Sequence, residues 1–242
     1  MFPNTIFLYF ITYSFLGWCC ETTYVSLAKR SFVNRGFLYG PLCPIYGFGA
    51  LLVLYSLEPF AKHLIIIFGL AMIVTSSLEY FTSWLMEAIF HIRWWDYTTY
   101  KYNIKGRICL KNTLLFGILG IVAVYGLHPI VELLIQRISI RAEVALKGIL
   151  LTSLIGDSIL SILSAINVNK ALNEVNKLII EFQQNGEITK QRITKKVHTL
   201  ITKLEKRYYH FKKAYPNLKH KHYHFERLKV DEVIKKMKTL MK

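Results

Sequence analysis

Charge is scarce in this chain, and acid is scarcest. Only 19% of its 242 residues are charged, and fifteen Asp and Glu stand against thirty-one Lys and Arg. Soluble domains devote about a quarter of their residues to charge, so this deficit, beside 53% hydrophobic residues, points away from a soluble fold. Cysteine is also sparse. Cys19 and Cys20 are neighbours in an apolar run, and Cys43 and Cys109 flank other runs, so neither a disulfide framework nor a zinc or CxxC motif is present. They read as small residues packed among helices. There is no GxxxxGK[ST] phosphate loop, HExxH zinc site, nucleophile elbow or ordered Ser/His/Asp set. No catalytic residue, cofactor or metal is therefore assigned. The opening Met1-Phe2-Pro3-Asn4 lacks the basic residues of a signal peptide, so the run after it is expected to stay as a first span.

Long apolar runs are what the chain has instead. A helix crossing the hydrocarbon core needs about 20 mostly apolar residues. Five segments qualify: 2–28, 36–57, 64–90, 112–131 and 148–169. The fold class expected is all-α, a polytopic membrane protein with about five transmembrane helices and a C-terminal amphipathic helical tail. Two domains are expected, a transmembrane domain over 1–168 and a basic cytoplasmic tail over 169–242. Arg and Lys crowd segments 29–35, 91–111 and the tail, which by the positive-inside rule places the N-terminus outside and the C-terminus in the cytoplasm. The membrane expected is the bacterial cytoplasmic membrane.

Two stretches depart from plain spans. Gly36, Gly40, Pro41, Pro44, Gly47 and Gly49 crowd the first half of span two, so that helix either starts late and kinks, or uses small residues for close packing. His128-Pro129 is expected to bend or end span four. Segment 91–111 carries Trp94, Trp95, Tyr97, Tyr100 and Tyr102; an aromatic belt at the headgroups and a functional loop fit equally well.

The tail repeats apolar positions at Val168, Leu172, Val175, Ile179 and Phe182, stops at Asn185-Gly186, and resumes from Thr189. It reads as two or three amphipathic helices in a hairpin or coiled coil. Nineteen Lys and Arg against seven Asp and Glu over 169–242 suit anionic lipid headgroups or an acidic partner; no fold motif supports nucleic acid. His220, His222 and His224 lack acidic or cysteine companions and read as exposed histidines.

Carboxylates at membrane depth cost roughly 2.5–3.5 kcal/mol each on insertion scales, so their positions matter. Glu21, Glu79, Glu87 and Asp157 fall within spans. Ser76, Glu79, Ser83 and Glu87 form one stripe; Ser153, Asp157, Ser161 and Ser164 form another. Glu21 and Glu87 sit near span ends, within reach of Arg35 or Arg107 if the helices adjoin. Asn34, Arg35, Trp95, Asp96, Tyr97, Asn103 and Arg107 make a candidate site on the connecting loops. The expectation is that Glu21, Glu79 and Glu87 converge with Arg35, Asp96, Asn103 and Arg107 on a polar site opening to the cytoplasm. The rival is a dry salt-bridge cluster that only fixes helix packing.

The runs Tyr13-Ser14-Phe15-Leu16-Gly17-Trp18 with Glu21, Asn34-Arg35-Gly36-Phe37-Leu38-Tyr39-Gly40-Pro41 and Cys43-Pro44-Ile45-Tyr46-Gly47 follow in order. Glu79-Tyr80, Glu87, Trp95-Asp96-Tyr97, Asn103 and Gly106-Arg107-Ile108-Cys109-Leu110 complete the pattern. Together they resemble the bacterial ABC-transporter type IV family, also called the CmpB family, over residues 9–120, with weaker similarity at Ala214-Tyr215-Pro216. The resemblance implies a permease component; its ATPase is then a separate subunit. With so few spans, transport also implies oligomerisation or membrane partners. The competing reading is a non-transporting scaffold or regulator acting through the tail. An intramembrane enzyme using Glu79 or Asp96 ranks last.

Overall fold

The structure is a computed structural model and describes residues 5–60, 62–185, 210–211, 213–215 and 219–220. It is mostly helical. The elements in order are α1 (Ile6–Lys29), α2 (Pro44–Leu57), a 3-10 turn (Glu58–Phe60), α3 (Leu64–Phe90), β1 (Ile92–Arg93), β2 (Asn103–Ile104), β3 (Ile108–Cys109), α4 (Leu110–Ile121), α5 (His128–Gln136), α6 (Ile140–Asn185) and β4 (Lys219–His220).

Three helical stretches are long and apolar enough to cross a membrane: Leu64–Phe90, Leu110–Gln136 and Ile140–Ala171. The first two have 27 residues each, about 40 Å at the helical rise and longer than the hydrocarbon core of about 30 Å. Ile65, Ile73, Leu119, Ile130 and Ile159 point outward from them, as lipid-facing side chains do. α1 has the length, at 24 residues, but Glu21 and its tyrosines, serines and threonines leave it less apolar. α2 has only 14 residues. Its late start has a local cause: Pro44 cannot donate to a preceding turn and suits the first helical position. Residues 36–43 run outside any helix, with Gly36 at φ 135°, where a side chain would be strained.

The expected bend at Pro129 takes another form. Val122–Leu127 widens into a π-helix that joins α4 to α5. Pro129 has no N–H for the carbonyl four residues back and its ring crowds that group, and the wider winding just upstream accommodates it. α6 is 46 residues long and runs through 168–169 without a break, so the fifth span and the first amphipathic stretch are one helix. Apart from residues 210–211, 213–215 and 219–220, the helices anticipated beyond Thr189, together with His222 and His224, lie outside the described residues.

The chain divides into two compact units. One holds the described residues of Met1–Trp84 and Tyr97–Ile159; the other holds those of Leu85–Asp96 and Leu160–Lys242. In the first, Leu8, Tyr9 and Tyr13 of α1 pack with Leu54 of α2 and with Val131 and Ile135 of α5. Val53 and Leu57 of α2 pack with Ile67 and Ala71 of α3. α1 and α2 approach closely at Gly17 and Gly47: a Cβ on Gly17 would enter the Tyr46 side chain, and one on Gly47 would meet Ser14 and Phe10. In the second unit β1 pairs antiparallel with β4, Ile92 opposite His220. Trp94 stands edge-on to Phe211 and Tyr215, with ring centroids 4.9 and 5.4 Å away.

Candidate functional site

The first polar group grows from the end of α1 and the loop after it. α1 closes with Arg30 in the left-handed conformation. The chain then turns back along the helix, and Ser26 Oγ accepts the Val33 N–H at 2.9 Å while Thr22 Oγ1 accepts the Arg35 N–H at 3.2 Å. Trp18 Nε1 donates to Asn34 Oδ1 at 2.6 Å, and Asn34 Nδ2 donates to the Tyr39 carbonyl at 2.7 Å. These bonds set Arg35 beside Glu21, Nε to Oε2 at 3.1 Å. The other oxygen of Glu21 accepts from Tyr46 of α2 at 2.6 Å. Both oxygens of Glu21 are thus occupied, and the pair is only partly exposed.

Asp157 lies on α6. Its carboxylate accepts the backbone N–H groups of Tyr39 and Gly40 at 2.9 and 2.8 Å, clipping α6 onto the loop before α2. Gly40 leaves room for this, because a Cβ there would crowd Asp157 Oδ2.

The second polar group lies on α3 and the loop that follows. Ser76, Glu79, Ser83 and Glu87 are all buried. Ser76 shares a hydrogen bond with Thr113 of α4 at 2.9 Å, and Ser83 accepts from Arg107 at 3.1 Å. The Arg107 guanidinium also lies over the Tyr80 ring, 5.7 Å from its centroid. Between those serines, Glu79 is 6% exposed and accepts from the Tyr97 hydroxyl through Oε1 at 3.1 Å. Its other oxygen, Oε2, is buried and has no hydrogen-bond partner among the described residues.

Tyr97 reaches Glu79 because the loop is itself built. Lys105 and Gly106 both have positive φ, as a I′-type turn requires, and the Arg107 N–H closes the turn on the Ile104 carbonyl at 3.0 Å. Asn103 ties this hairpin to the segment before it. Its Oδ1 accepts the Gly106 N–H at 2.9 Å and its Nδ2 donates to the Tyr100 carbonyl at 2.8 Å. The Tyr97 N–H then bonds the Gly106 carbonyl at 2.8 Å. Burial pushes the Tyr97 hydroxyl well above the usual phenol range, and the Glu79 and Glu21 carboxyls add to the shift in that order. It therefore stays a donor through the physiological range.

Residues 8–162 match the family model described as "Putative ABC-transporter type IV". The chain belongs to that family. No curated protein and no solved structure matches it significantly. The matched stretch contains every carboxylate and loop residue named above, and the apolar helices fit a membrane protein of this family.

Within this member of the family, the anticipated residues fall into several groups. Glu21, Asn34 and Arg35 are gathered with Tyr46 and Trp18. Glu79 and Tyr97 form a pair, and Arg107 binds one turn along α3 at Ser83. Glu87 and Asp96 belong to the second unit. Arg93 pairs with both there: Nε is 3.2 Å from Glu87 Oε2 and Nη1 is 3.6 Å from Asp96 Oδ1, all three side chains nearly buried. Trp95 is half-buried in the same unit. Tyr46 and Arg93 escaped the sequence reading of the site. Tyr46 lies in the run Cys43-Pro44-Ile45-Tyr46-Gly47, and Arg93 is six residues after Glu87, so both had a visible signal. Among the described residues no group of three His, Cys, Asp or Glu could hold a metal ion.

Proposed function

We propose that this chain is a membrane-embedded component of a transporter, and that Glu79, Tyr97, Glu21, Arg35 and Tyr46 form its working site. The observation that carries the reading is Glu79: a carboxyl midway along an apolar helix, nearly buried, with one oxygen bonded and the other unpartnered. Such a group costs stability, and structural networks rarely leave a buried carboxylate oxygen bare. Family membership supports the same direction. All five helical segments cross the membrane in this reading. Span two does so as the short α2 plus the non-helical run from Gly36, whose backbone is held by protein groups such as Asp157 and not left to lipid. The N-terminus then lies outside a bacterial cytoplasmic membrane, and the loop carrying Tyr97 and Arg107 lies inside.

The chain has no phosphate loop, so any ATP hydrolysis comes from a separate subunit, and further membrane subunits or a second copy complete the path. Anionic headgroups are the partners of the basic tail. The alternative is a scaffold or regulator working through that tail, favoured by the nineteen Lys and Arg over 169–242.

The test compares cells expressing wild type, Glu79→Gln and a tail-truncated chain at equal membrane levels, profiling small molecules inside and outside. Transport through this site gives a set of solutes whose distribution shifts with wild type and returns to baseline with Glu79→Gln. A shift that survives Glu79→Gln but disappears with the tail supports the scaffold.

A further inference from the structure

Glu79 poses a question of charge. An ionised carboxylate spreads its charge over both oxygens, and here only Oε1 has a donor, the neutral Tyr97 hydroxyl at 3.1 Å. Oε2 is buried and unpartnered among the described residues, and the side chain is 6% exposed. The charged groups nearby are engaged elsewhere. Arg35 pairs with Glu21, which also takes the Tyr46 hydroxyl, and Arg107 donates to Ser83 and lies over Tyr80. Glu21 adds a second negative charge, felt at the same Tyr97 hydroxyl. No cation among the described residues pairs with Glu79.

One positive charge is therefore missing, and the surroundings limit what can supply it. A calcium or magnesium ion needs about six oxygen ligands, and no group of three acidic, histidine or cysteine side chains assembles among the described residues. A proton needs a single oxygen and no coordination shell. We propose that Glu79 is a proton-binding site, with Oε2 carrying an exchangeable proton. Loading forms the Oε2–H bond and neutralises the carboxylate, the proton coming from a hydronium ion that becomes water. Unloading returns the proton to a water molecule. Tyr97 holds Oε1 in both states, fixing the carboxyl plane while its own proton stays in place. The proposal rests on the transport reading only in naming what that site would couple to; proton binding is measurable without any substrate.

The experiment is infrared difference spectroscopy on the full chain in lipid at neutral pH, in light and heavy water. The expected result is a carboxylic-acid carbonyl band that shifts in heavy water and is absent from Glu79→Gln. In Tyr97→Phe the band should move to higher frequency, because the carbonyl oxygen loses its donor. That second variant keeps the acid in place should Glu79→Gln fail to fold. An ionised carboxylate signal with no acid band, or a signal that changes on adding sodium or potassium at constant pH, overturns the proposal. The two readings fail separately. An absent acid band with transport still lost in Glu79→Gln leaves the transport site standing. A present band with transport indifferent to Glu79 leaves only the proton site.

Discussion

Two buried carboxyls on α3 meet the same physical problem differently. Glu87 has Arg93 at 3.2 Å, with Asp96 on the other side of the guanidinium. Removing that cation leaves two acids buried together, so Arg93→Met should destabilise the protein by about 3–5 kcal/mol, read as a lowered thermal midpoint. An unchanged midpoint would mean water already reaches the pair. Among the described residues Glu79 has only the Tyr97 hydroxyl as a donor, and that hydroxyl is sensitive to pH in a definite direction. Its pKa is raised in the folded chain, by burial first and then by Glu79 and Glu21. Below about pH 10, the ordinary value for tyrosine, both folded and unfolded chains keep the proton and the contribution is complete. Above it the unfolded chain loses the proton first, so stability falls as pH rises. Tyr97→Phe should lose less stability than wild type between about pH 9 and about pH 11. Equal slopes in the two proteins would contradict the buried hydrogen bond.

Among the elements, α1 and α2 approach closely in the first unit, and glycine makes it possible. Gly47→Leu would drive a side chain into Ser14 and Phe10 and should cost about 1–3 kcal/mol by overpacking, whereas Gly69→Leu on α3, where the space is open, should cost little. Thermal midpoints of the two variants check this, and equal losses would show that the contact is looser than described. Element types were largely legible from the apolar runs, because hydrophobic length is set by the bilayer and not by tertiary detail. Boundaries followed backbone chemistry that also shows in sequence: Pro44 starts α2, and Pro129 follows a π turn. The joining of span five to the amphipathic stretch after it was not legible. A helix has no sequence mark where the membrane ends, and nothing between 168 and 169 stops one.

For the whole molecule, sequence marked the costly residues and one of their partners, Arg35 for Glu21. Four carboxylates on three spans stood out because charge at membrane depth is rare. That Asp157 would hold two backbone N–H groups more than a hundred residues away depended on folding that no spacing encodes. The five-span orientation has its own check: a cysteine at Lys105 should resist an impermeant reagent added to intact cells and react after permeabilisation. Labelling from outside would reverse the orientation. The central claim, that Glu79 is kept for function and not for stability, is tested most directly by the thermal stability of Glu79→Gln and Glu79→Met in lipid. Because a bare buried carboxyl oxygen is a net cost and Gln keeps an acceptor for Tyr97, Glu79→Gln should melt at or above the wild-type midpoint, and Glu79→Met, which strands the Tyr97 hydroxyl, should lose no more than about 1–3 kcal/mol. A loss of about 3 kcal/mol or more in both would make Glu79 a structural partner and contradict the account.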